Sequence, residues 1–278
     1  MSLVRNARTL LTSPKTMRDF ALYHTSKLRH GAAIRNLHGV QLSSFNSFSE
    51  FHTCDAIDES ERRFLETFDF GEGAVFDIGA NLGLVSIILA KRFPKRPVYS
   101  FEPNPSTFRA LKNNLRLNNI INAECFEMAV YDKNGPILFD ADPRSRATNK
   151  IVERAGDHSK QVRAITIDSF LERHGINSIA LLKIDVEGFE EKVLEGAARA
   201  LGERRINIVY YEVCPDNARR AGLKPMRAGE MLLDAGYHLY KLDEGLRPAA
   251  TSEVDSVVLD NWVACLNELQ GCGIKDWS

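Results

Sequence analysis

The fold of this chain is decided by the stretch Val75-Phe76-Asp77-Ile78-Gly79-Ala80-Asn81-Leu82-Gly83. Its apolar start runs into an acid, two glycines then frame a tight turn, and an apolar helical pattern from Leu84 to Phe93 follows at once. This order predicts a buried strand, a turn and a helix, an arrangement that leaves backbone N–H groups open at the carboxyl end of the strand. We therefore expect a nucleotide-like ligand at this turn.

A second apolar run, 98–101, ends in Glu102, nineteen residues after Gly83. An acid at this place can accept two hydrogen bonds from a ribose diol. The glycine spacing departs from Gly-x-Gly-x-x-Gly, because Asn81 stands where a middle glycine would let a pyrophosphate approach the backbone. The turn therefore favours a ligand with a ribose and a small zwitterionic tail, for which S-adenosylmethionine is the candidate. A nicotinamide-dependent oxidoreductase is the alternative.

The composition indicates an ordinary globular protein. The chain has 278 residues, of which 44% are hydrophobic and 26% charged, and a formal net charge of −1, so nothing general suggests nucleic-acid or membrane binding. No apolar run approaches the ~18 residues that span a bilayer. The cysteines are scattered, so we expect neither a disulfide framework nor a zinc site, and a reducing, cytoplasmic location. They are Cys54, Cys125, Cys214, Cys265 and Cys272.

The first 35 residues are basic, with seven Lys or Arg residues against the single acid Asp19. They lack the continuous apolar core of a secretory signal. We expect residues 1–57 to form a basic arm and a lid over the site, and residues 58–270 to form the main domain. An organelle transit peptide and a plain solvated helical arm are alternatives for the start of the chain.

Strand-like and helical patterns alternate along the rest of the chain. The predicted strands span residues 74–78, 98–101, 123–131, 136–140, 162–167, 179–185, 206–213, 238–242 and 261–266. The predicted helices span residues 16–28, 58–68, 84–92, 105–117, 168–171, 189–201 and 226–235. The alternation predicts an α/β, Rossmann-like fold, with a doubly wound, mostly parallel sheet, an antiparallel last strand and an N-terminal helical or lid extension.

Further motifs follow the glycine turn in order. The most distinctive is Leu182-Lys183-Ile184-Asp185-Val186-Glu187-Gly188-Phe189-Glu190. The others lie at residues 101–105, 127–132, 165–170, 193–197, 207–212 and 235–237. With the turn itself, they resemble the FkbM family of S-adenosylmethionine-dependent methyltransferases across residues 58–266. The resemblance implies a class I methyltransferase fold and methyl transfer from S-adenosylmethionine to a hydroxyl oxygen of a sugar, a glycan or a natural-product small molecule.

The resemblance also implies a role for individual residues. Those implied to wrap the methionine and ribose of the cofactor are Gly79, Ala80, Asn81 and Gly83. Those implied to lie near the adenine are Met128, Ala129 and Val130. Glu102 would hold the ribose hydroxyls, and Asp77 would help to orient the methionine end. On periodicity alone, Met128 and Val130 fit a plain core equally well.

A second predicted site consists of acids at the ends of two later strands. Lys183, Asp185 and Glu187 alternate along a strand and can share a face, and Glu212 ends the neighbouring strand. Carboxylates there can orient an alcohol or accept its proton, so Asp185, Glu187 and Glu212 are the catalytic candidates. Two alternatives remain. The acids can simply favour a helix N-terminus, or they can bind Mg²⁺ or Ca²⁺, although the motif requires no metal.

Other features support weaker expectations. His158 and His174 could each act as a base, although scattered histidines are more often surface or core residues. The basic side chains of the 141–160 loop could recognise an anionic substrate or form a solvated surface. They are Arg144, Arg146 and Arg154. The expected partner is a small-molecule or glycan acceptor, with no nucleic acid and no transmembrane segment. A non-catalytic scaffold that keeps the cofactor site is the second alternative function.

Overall fold

The computed structural model of the protein describes residues 13–45, 47–54, 57–140, 150–152, 156 and 159–269. The helices there are α1 (Pro14–His30), α2 (Phe48–Thr53), α3 (Glu59–Thr67), α4 (Leu84–Arg92), α5 (Pro105–Leu117), α6 (Ile167–His174), α7 (Glu190–Glu195), α8 (Ala198–Gly202), α9 (Pro215–Arg220) and α10 (Arg227–Asp234), with a 3-10 helix at Thr251–Ser256. The strands there are β1 (Arg35–Leu37), β2 (Val40–Leu42), β3 (Ala74–Ile78), β4 (Val98–Phe101), β5 (Ala123–Phe126), β6 (Ala129–Val130), β7 (Gly135–Asp140), β8 (Lys150–Ile151), β9 (Ser159–Ile165), β10 (Ile179–Ile184), β11 (Ile206–Val213), β12 (His238–Leu242), β13 (Leu246–Pro248) and β14 (Asp260–Cys265).

The main sheet has eight strands in the order β13-β12-β14-β11-β10-β3-β4-β5. Strands β5, β4, β3, β10 and β11 pair in parallel, whereas β14 pairs antiparallel with both β11 and β12. The predicted α/β fold, with a mostly parallel sheet and an antiparallel last strand, is therefore confirmed. Strand β13, which the sequence pattern did not indicate, adds a further antiparallel pair at the edge.

The central strands are covered on both faces, which is why their sequences are almost continuously apolar. Every residue of β3 and of β10 is buried. Successive side chains enter opposite cores: Val75 belongs to the buried cluster that contains Ile87 and Leu111, whereas Phe76 belongs to the cluster that contains Phe170 and Val193. The turn that follows β3 is thus held by a rigid strand between two cores.

A second sheet, in the order β6-β9-β7-β8, explains the first difference from the sequence pattern. The run 123–131 was predicted as one strand, but it forms β5 in the main sheet and β6 in the second sheet. The chain leaves the main sheet after Phe126, where β4 and β5 end together. Local β-propensity continues across this break, because propensity does not record which neighbour a strand pairs with.

The predicted helix 189–201 is also divided, into α7 and α8. Gly196 lies at the division, where an added Cβ would stand 2.1 Å from the carbonyl oxygen of Tyr131. The close approach of β6 therefore interrupts a segment whose local pattern favours one helix. The helix α6 is capped by Thr166, whose hydroxyl accepts the Ser169 N–H at 3.1 Å, and not by Asp168 as the sequence pattern indicated.

The described part of the N-terminal segment packs against helices α4 and α5. Gln41 and Ser43 donate backbone N–H groups to the side chains of Asn118 and Asn114, at 2.9 and 2.8 Å. None of the described residues before 58 lines the cleft described below. The lid over the site and the boundary at residues 57 and 58 therefore stay predictions. In the part of the chain that the structure describes, no helix is both long and apolar enough to cross a membrane.

Candidate active site

A cleft that is partly open to solvent lies at the carboxyl ends of β3, β4 and β10. This is the edge at which parallel α/β sheets bind ligands. Strands β7 and β8 of the second sheet supply another part of its wall. The residues that line it are Ile78, Gly79, Asn81, Phe101, Glu102, Pro103, Thr107, Met128, Ala129, Val130, Phe139, Ile151, Asp185, Val186 and Glu187.

The glycine turn forms the floor of the cleft. The N–H groups of Gly79 and Ala80 donate to the carbonyl of Phe101, at 3.0 and 2.9 Å, which ties the turn to the end of β4. Gly79 has a φ of +78°, and an added Cβ would stand 1.9 Å from the carbonyl oxygen of Asp185. Glycine is therefore required by the neighbouring loop as well as by the turn. Asn81, with a φ of +47°, points its N–H at the next strand.

Glu102 receives that N–H. Its Oε2 accepts from the Asn81 N–H at 3.0 Å, and its Oε1 accepts from the Asn104 N–H at 2.9 Å. Only 6% of the residue is exposed. Both oxygens of Glu102 therefore hold the turn, and its role as the acceptor of the ribose hydroxyls stays a prediction.

The cleft also has an apolar part. Met128, Ala129 and Val130 line it, on the short segment that crosses from the main sheet to the second sheet, and their position near an adenine stays a prediction. Thr107, in the first turn of α5, also lines it and was missed by sequence reasoning. Its Oγ1 is buried and has no hydrogen-bond partner among the described residues. A buried hydroxyl that lacks a partner at the wall of a cleft is a candidate contact for a ligand.

Three of the predicted cofactor residues do not line the cleft. Asp77 is fully buried beneath the turn and accepts a hydrogen bond from Ser86. Ala80 is 5% exposed and faces the core. Gly83 caps α4 with a φ of +90°, and an added Cβ would stand 2.6 Å from Leu111 Cδ1. These residues shape the turn, and the roles predicted for them in binding stay predictions.

Lys183 connects the two predicted sites. Its Nζ lies 3.3 Å from Asp77 Oδ1, Asp185 Oδ2 and the carbonyl oxygen of Gly79. Burial alone would lower the pKa of Lys183, but the carboxylates of Asp185 and Asp77 raise it above its ordinary value. The ammonium is therefore charged, and it holds the Asp185 carboxylate beside the turn. A sequence motif shows that Lys183 and Asp185 are neighbours, but not that Asp77 completes the group.

Asp185 and Glu187, two of the three catalytic candidates, lie on the wall opposite Glu102. Glu187 has a φ of +57°, and its Oε2 accepts from Asn217 Nδ2 at 2.9 Å. The loop is closed by Glu190, whose Oε1 accepts the N–H groups of Val186 and Gly188 at 3.3 and 3.2 Å. Burial, together with the negative charge of Asp185, raises the pKa of Glu187 to about 7.

The third candidate, Glu212, stands apart from the cleft. It lies on β11, and its Oε2 is buried without a hydrogen-bond partner among the described residues. Burial raises its pKa to about 9, and the charges of Asp185 and Glu187 add to this effect. The raised pKa of Glu212 favours a role as hydrogen-bond donor over one as base. Its catalytic role stays a prediction.

The remaining candidates contribute little to this geometry. In the ranges that the structure describes, no three His, Cys, Asp or Glu residues form a group that could hold a metal ion. His174 stacks on Phe170 with ring centroids 4.1 Å apart and does not line the cleft. The other basic candidates lie outside the described residues. They are Arg144, Arg146, Arg154 and His158.

Comparison with known proteins agrees with this arrangement. The family model described as Methyltransferase FkbM domain matches residues 77–239. The chain is 28% identical to the hexuronic acid methyltransferase AglP of Haloferax volcanii over 166 residues, 59% of this chain and 63% of that protein. It is 24% identical to the 2-O-methyltransferase NoeI of Sinorhizobium fredii, over 60% of this chain and 73% of that protein.

A third relative is the 31-O-demethyl-FK506 methyltransferase FkbM of Streptomyces tacrolimicus, 26% identical over 45% of this chain and 60% of that protein. The match to AglP, like that to FkbM, thus spans less than two thirds of the relative's length. The family model, however, covers more than half of this chain, including the glycine turn, Glu102 and the Asp185 loop. The protein therefore belongs to the FkbM methyltransferase family.

Proposed function

We propose that the protein is an S-adenosylmethionine-dependent O-methyltransferase that acts on a hydroxyl of a sugar, a glycan or a natural-product small molecule. The observation that carries the proposal is a single cleft that has the glycine turn at its floor, Glu102 on one side and Asp185 and Glu187 on the other. The names of the relatives, a hexuronic acid methyltransferase, a 2-O-methyltransferase and an FK506 methyltransferase, support an acceptor of this class.

The residues of the cleft fit the cofactor. Glu102 can accept the ribose hydroxyls, and the segment 128–130 offers apolar contacts to a base. The buried Thr107 hydroxyl has no partner within the described ranges of the chain and can contact the ligand. Gly79 and Asn81 place backbone at the floor, where the methionine part would lie. S-adenosylmethionine supplies an electrophilic methyl group when bound. A pyrophosphate fits the turn less well, because Asn81 stands in place of the middle glycine of a nicotinamide site.

The opposite wall can prepare the acceptor. Glu187, with a pKa of about 7, is partly ionised at neutral pH and can accept the proton of a hydroxyl group. Asp185, held by Lys183, can receive a hydrogen bond from the same or a neighbouring hydroxyl and so orient the oxygen. Orientation contributes strongly to the rate, because an acceptor oxygen held in line with the methyl donor reacts as if both groups belonged to one molecule.

Replacement of Glu102 by alanine tests the donor site. We expect S-adenosylhomocysteine to raise the melting temperature of the natural protein and NADH to leave it unchanged. Glu102→Ala should weaken S-adenosylhomocysteine binding about 10- to 100-fold in titration calorimetry, because two charge-assisted hydrogen bonds are lost. The control is Glu172→Ala, at a side chain that is 73% exposed. Equal affinity in Glu102→Ala and the control would contradict the assignment.

Replacement of Asp185 by asparagine tests the acceptor site. Transfer of a labelled methyl group should first be sought on a panel of uronic acids, neutral sugars, oligosaccharides and hydroxylated natural products. Asp185→Asn should then bind S-adenosylhomocysteine and lose most turnover, since the amide cannot accept as strongly from the hydroxyl. A protein that binds the cofactor product and methylates no acceptor on the panel would favour the non-catalytic scaffold.

A further inference from the structure

Helix α1 buries a polar side and exposes an apolar one. Its buried residues are Thr16, Asp19 and Tyr23. The large apolar residues of the same helix are exposed by between 42% and 87% of their surface; they are Met17, Phe20, Leu22 and Leu28. A helix on the surface of a globular protein normally has the reverse arrangement. The exposed apolar side therefore needs an explanation.

The orientation of α1 is set by specific contacts on its polar side. Asp19 is 2% exposed, and its Oδ2 lies 2.9 Å from His52 Nδ1 and 3.5 Å from Arg35 Nη1. Tyr23 packs edge-to-face against Phe51, with ring centroids 5.4 Å apart. Rotation of the helix to bury its apolar side would break this buried ion pair and expose the tyrosine. The apolar side faces outward because the polar side makes these contacts with the rest of the protein.

The exposed side is also positively charged. The exposed cationic residues of the helix are Lys15, Arg18, Lys27 and Arg29, of which Lys27 donates to the hydroxyl of the buried Tyr23 at 2.8 Å. The helix has one acid, Asp19, and that carboxylate is buried. Arg18 lies 3.6 Å from Asp19 and still exposes 69% of its side chain. Exposed lysine and arginine therefore flank the apolar residues without an exposed acid on the same helix.

We propose that α1 is a docking surface for an anionic lipid bilayer and lies in its interface. The helix has 17 residues, so it extends about 25 Å. Met17 and Leu28 are about three helical turns apart, so their side chains point to the same side of the helix. Basic residues beside an outward apolar stripe suit a surface of anionic headgroups over acyl chains.

Other occupants fit these observations less well. A nucleic acid would pair with the cations but would leave Met17 and Leu28 in water. A second copy would bring two basic helices together without an acid to pair them, and like charges oppose that contact. A bilayer with anionic lipids satisfies both the apolar and the cationic parts. The inference concerns binding alone and does not depend on the proposed function.

Vesicle sedimentation with the full chain tests the inference. We expect the protein to sediment with mixed phosphatidylcholine–phosphatidylserine vesicles, to bind phosphatidylcholine vesicles weakly, and to be released by salt. The double variant Met17→Glu/Leu28→Glu should lower the partition coefficient at least about tenfold, and Lys15→Gln/Arg29→Gln should weaken binding and its salt dependence. Met17 and Leu28 are exposed, so the melting temperature of the Met17→Glu/Leu28→Glu variant should not change.

The matched control is Ile121→Glu/Leu233→Glu, which adds the same charges at residues 96% and 44% exposed elsewhere. This variant should bind the mixed vesicles as the natural protein does. Failure of the natural protein to sediment, equal binding to both vesicle types, or equal loss in the control would overturn the inference. A dimer in light scattering that Met17→Glu/Leu28→Glu makes monomeric, without vesicle binding, would assign the surface to a second copy.

Discussion

At Thr107, the most informative single atom of the site is a hydroxyl oxygen that is buried and lacks a hydrogen-bond partner among the described residues. Thr107→Val removes that oxygen and keeps the shape of the side chain. We expect the free protein to become slightly more stable, because a buried unpaired polar group is costly. We expect S-adenosylhomocysteine to bind about 3- to 10-fold more weakly, because one hydrogen bond to the ligand is lost.

Titration calorimetry and thermal melting of the same samples measure the two effects. Thr107→Ser keeps the hydroxyl and is the control, so its affinity should stay close to that of the natural protein. A Thr107→Val variant with unchanged affinity would show that the oxygen does not contact the ligand. The opposite signs of the two changes separate a binding role from a structural one.

The backbone at Glu187 is a second feature of single residues. A φ of +57° is unusual for a residue other than glycine, and here it lies beside Gly188, where an added Cβ would stand 2.5 Å from the carbonyl carbon of Asn217. The Asn217 amide also holds the Glu187 carboxylate. Helix α9 therefore fixes both the backbone and the side chain of this catalytic candidate, and such strain is common where geometry serves function.

Among the elements, the N-terminal hairpin β1–β2 is linked to the glycine turn through Asn114 of α5. Asn114 is fully buried; its Nδ2 donates to the Leu82 carbonyl at 2.8 Å and its Oδ1 accepts the Ser43 N–H at 2.8 Å. We expect Asn114→Ala to lower the free energy of unfolding by about 2–4 kcal/mol, because both backbone groups lose their buried partner. Denaturant unfolding measures this loss of stability, and the m value should stay unchanged.

The comparison variant is Asn118→Ala, at the residue that follows the last residue of α5. Asn118 makes the same kind of contact with the hairpin, at Gln41, but it is only half-buried, so water can replace its bonds. Asn118→Ala should lower the free energy of unfolding by less than about 1 kcal/mol. Similar losses in the two variants would refute a special role for the buried amide and leave the hairpin as an ordinary surface contact.

For the molecule as a whole, the carboxyl groups near the cleft make stability depend on pH. Burial raises the pKa of Glu187 and of Glu190 to about 7 and that of Glu212 to about 9, from 4.5. The folded state therefore binds these protons more tightly than the unfolded state does. Their stabilising contribution is complete below about pH 4.5 and is lost as pH rises through 7 and then 9.

We expect the free energy of unfolding to fall between about pH 4.5 and pH 9, from the ordinary pKa of these groups to the raised pKa of Glu212. Glu212→Gln replaces the group by a neutral analogue of its protonated form. The variant should match the natural protein below about pH 4.5, where the glutamate is protonated in both states, and should be increasingly more stable as the pH rises toward 9. Glu172→Gln, at an exposed acid, is the control and should follow the natural protein. Parallel curves for Glu212→Gln would contradict the pKa of Glu212.

Much of this molecule could be predicted from its sequence, because the relevant signals are local. The strand, turn and helix across residues 74–92 follow from adjacent residues, and β3, β4, β11 and β12 begin and end where their patterns do. Glu102 could be located because the carboxyl ends of parallel strands meet at one edge of the sheet. An acid that follows the strand next to the turn therefore lies beside the turn. Asp185 and Glu187 were found through a contiguous motif.

The tertiary structure alone decided features that depend on residues distant in the chain. It split the run 123–131 between two sheets, because pairing partners and not propensity assign a strand. It joined Lys183 to Asp77 and buried the Thr107 hydroxyl in the cleft wall. It also gave Glu212 its high pKa, since charge interactions depend on distance and burial, which a sequence pattern does not contain.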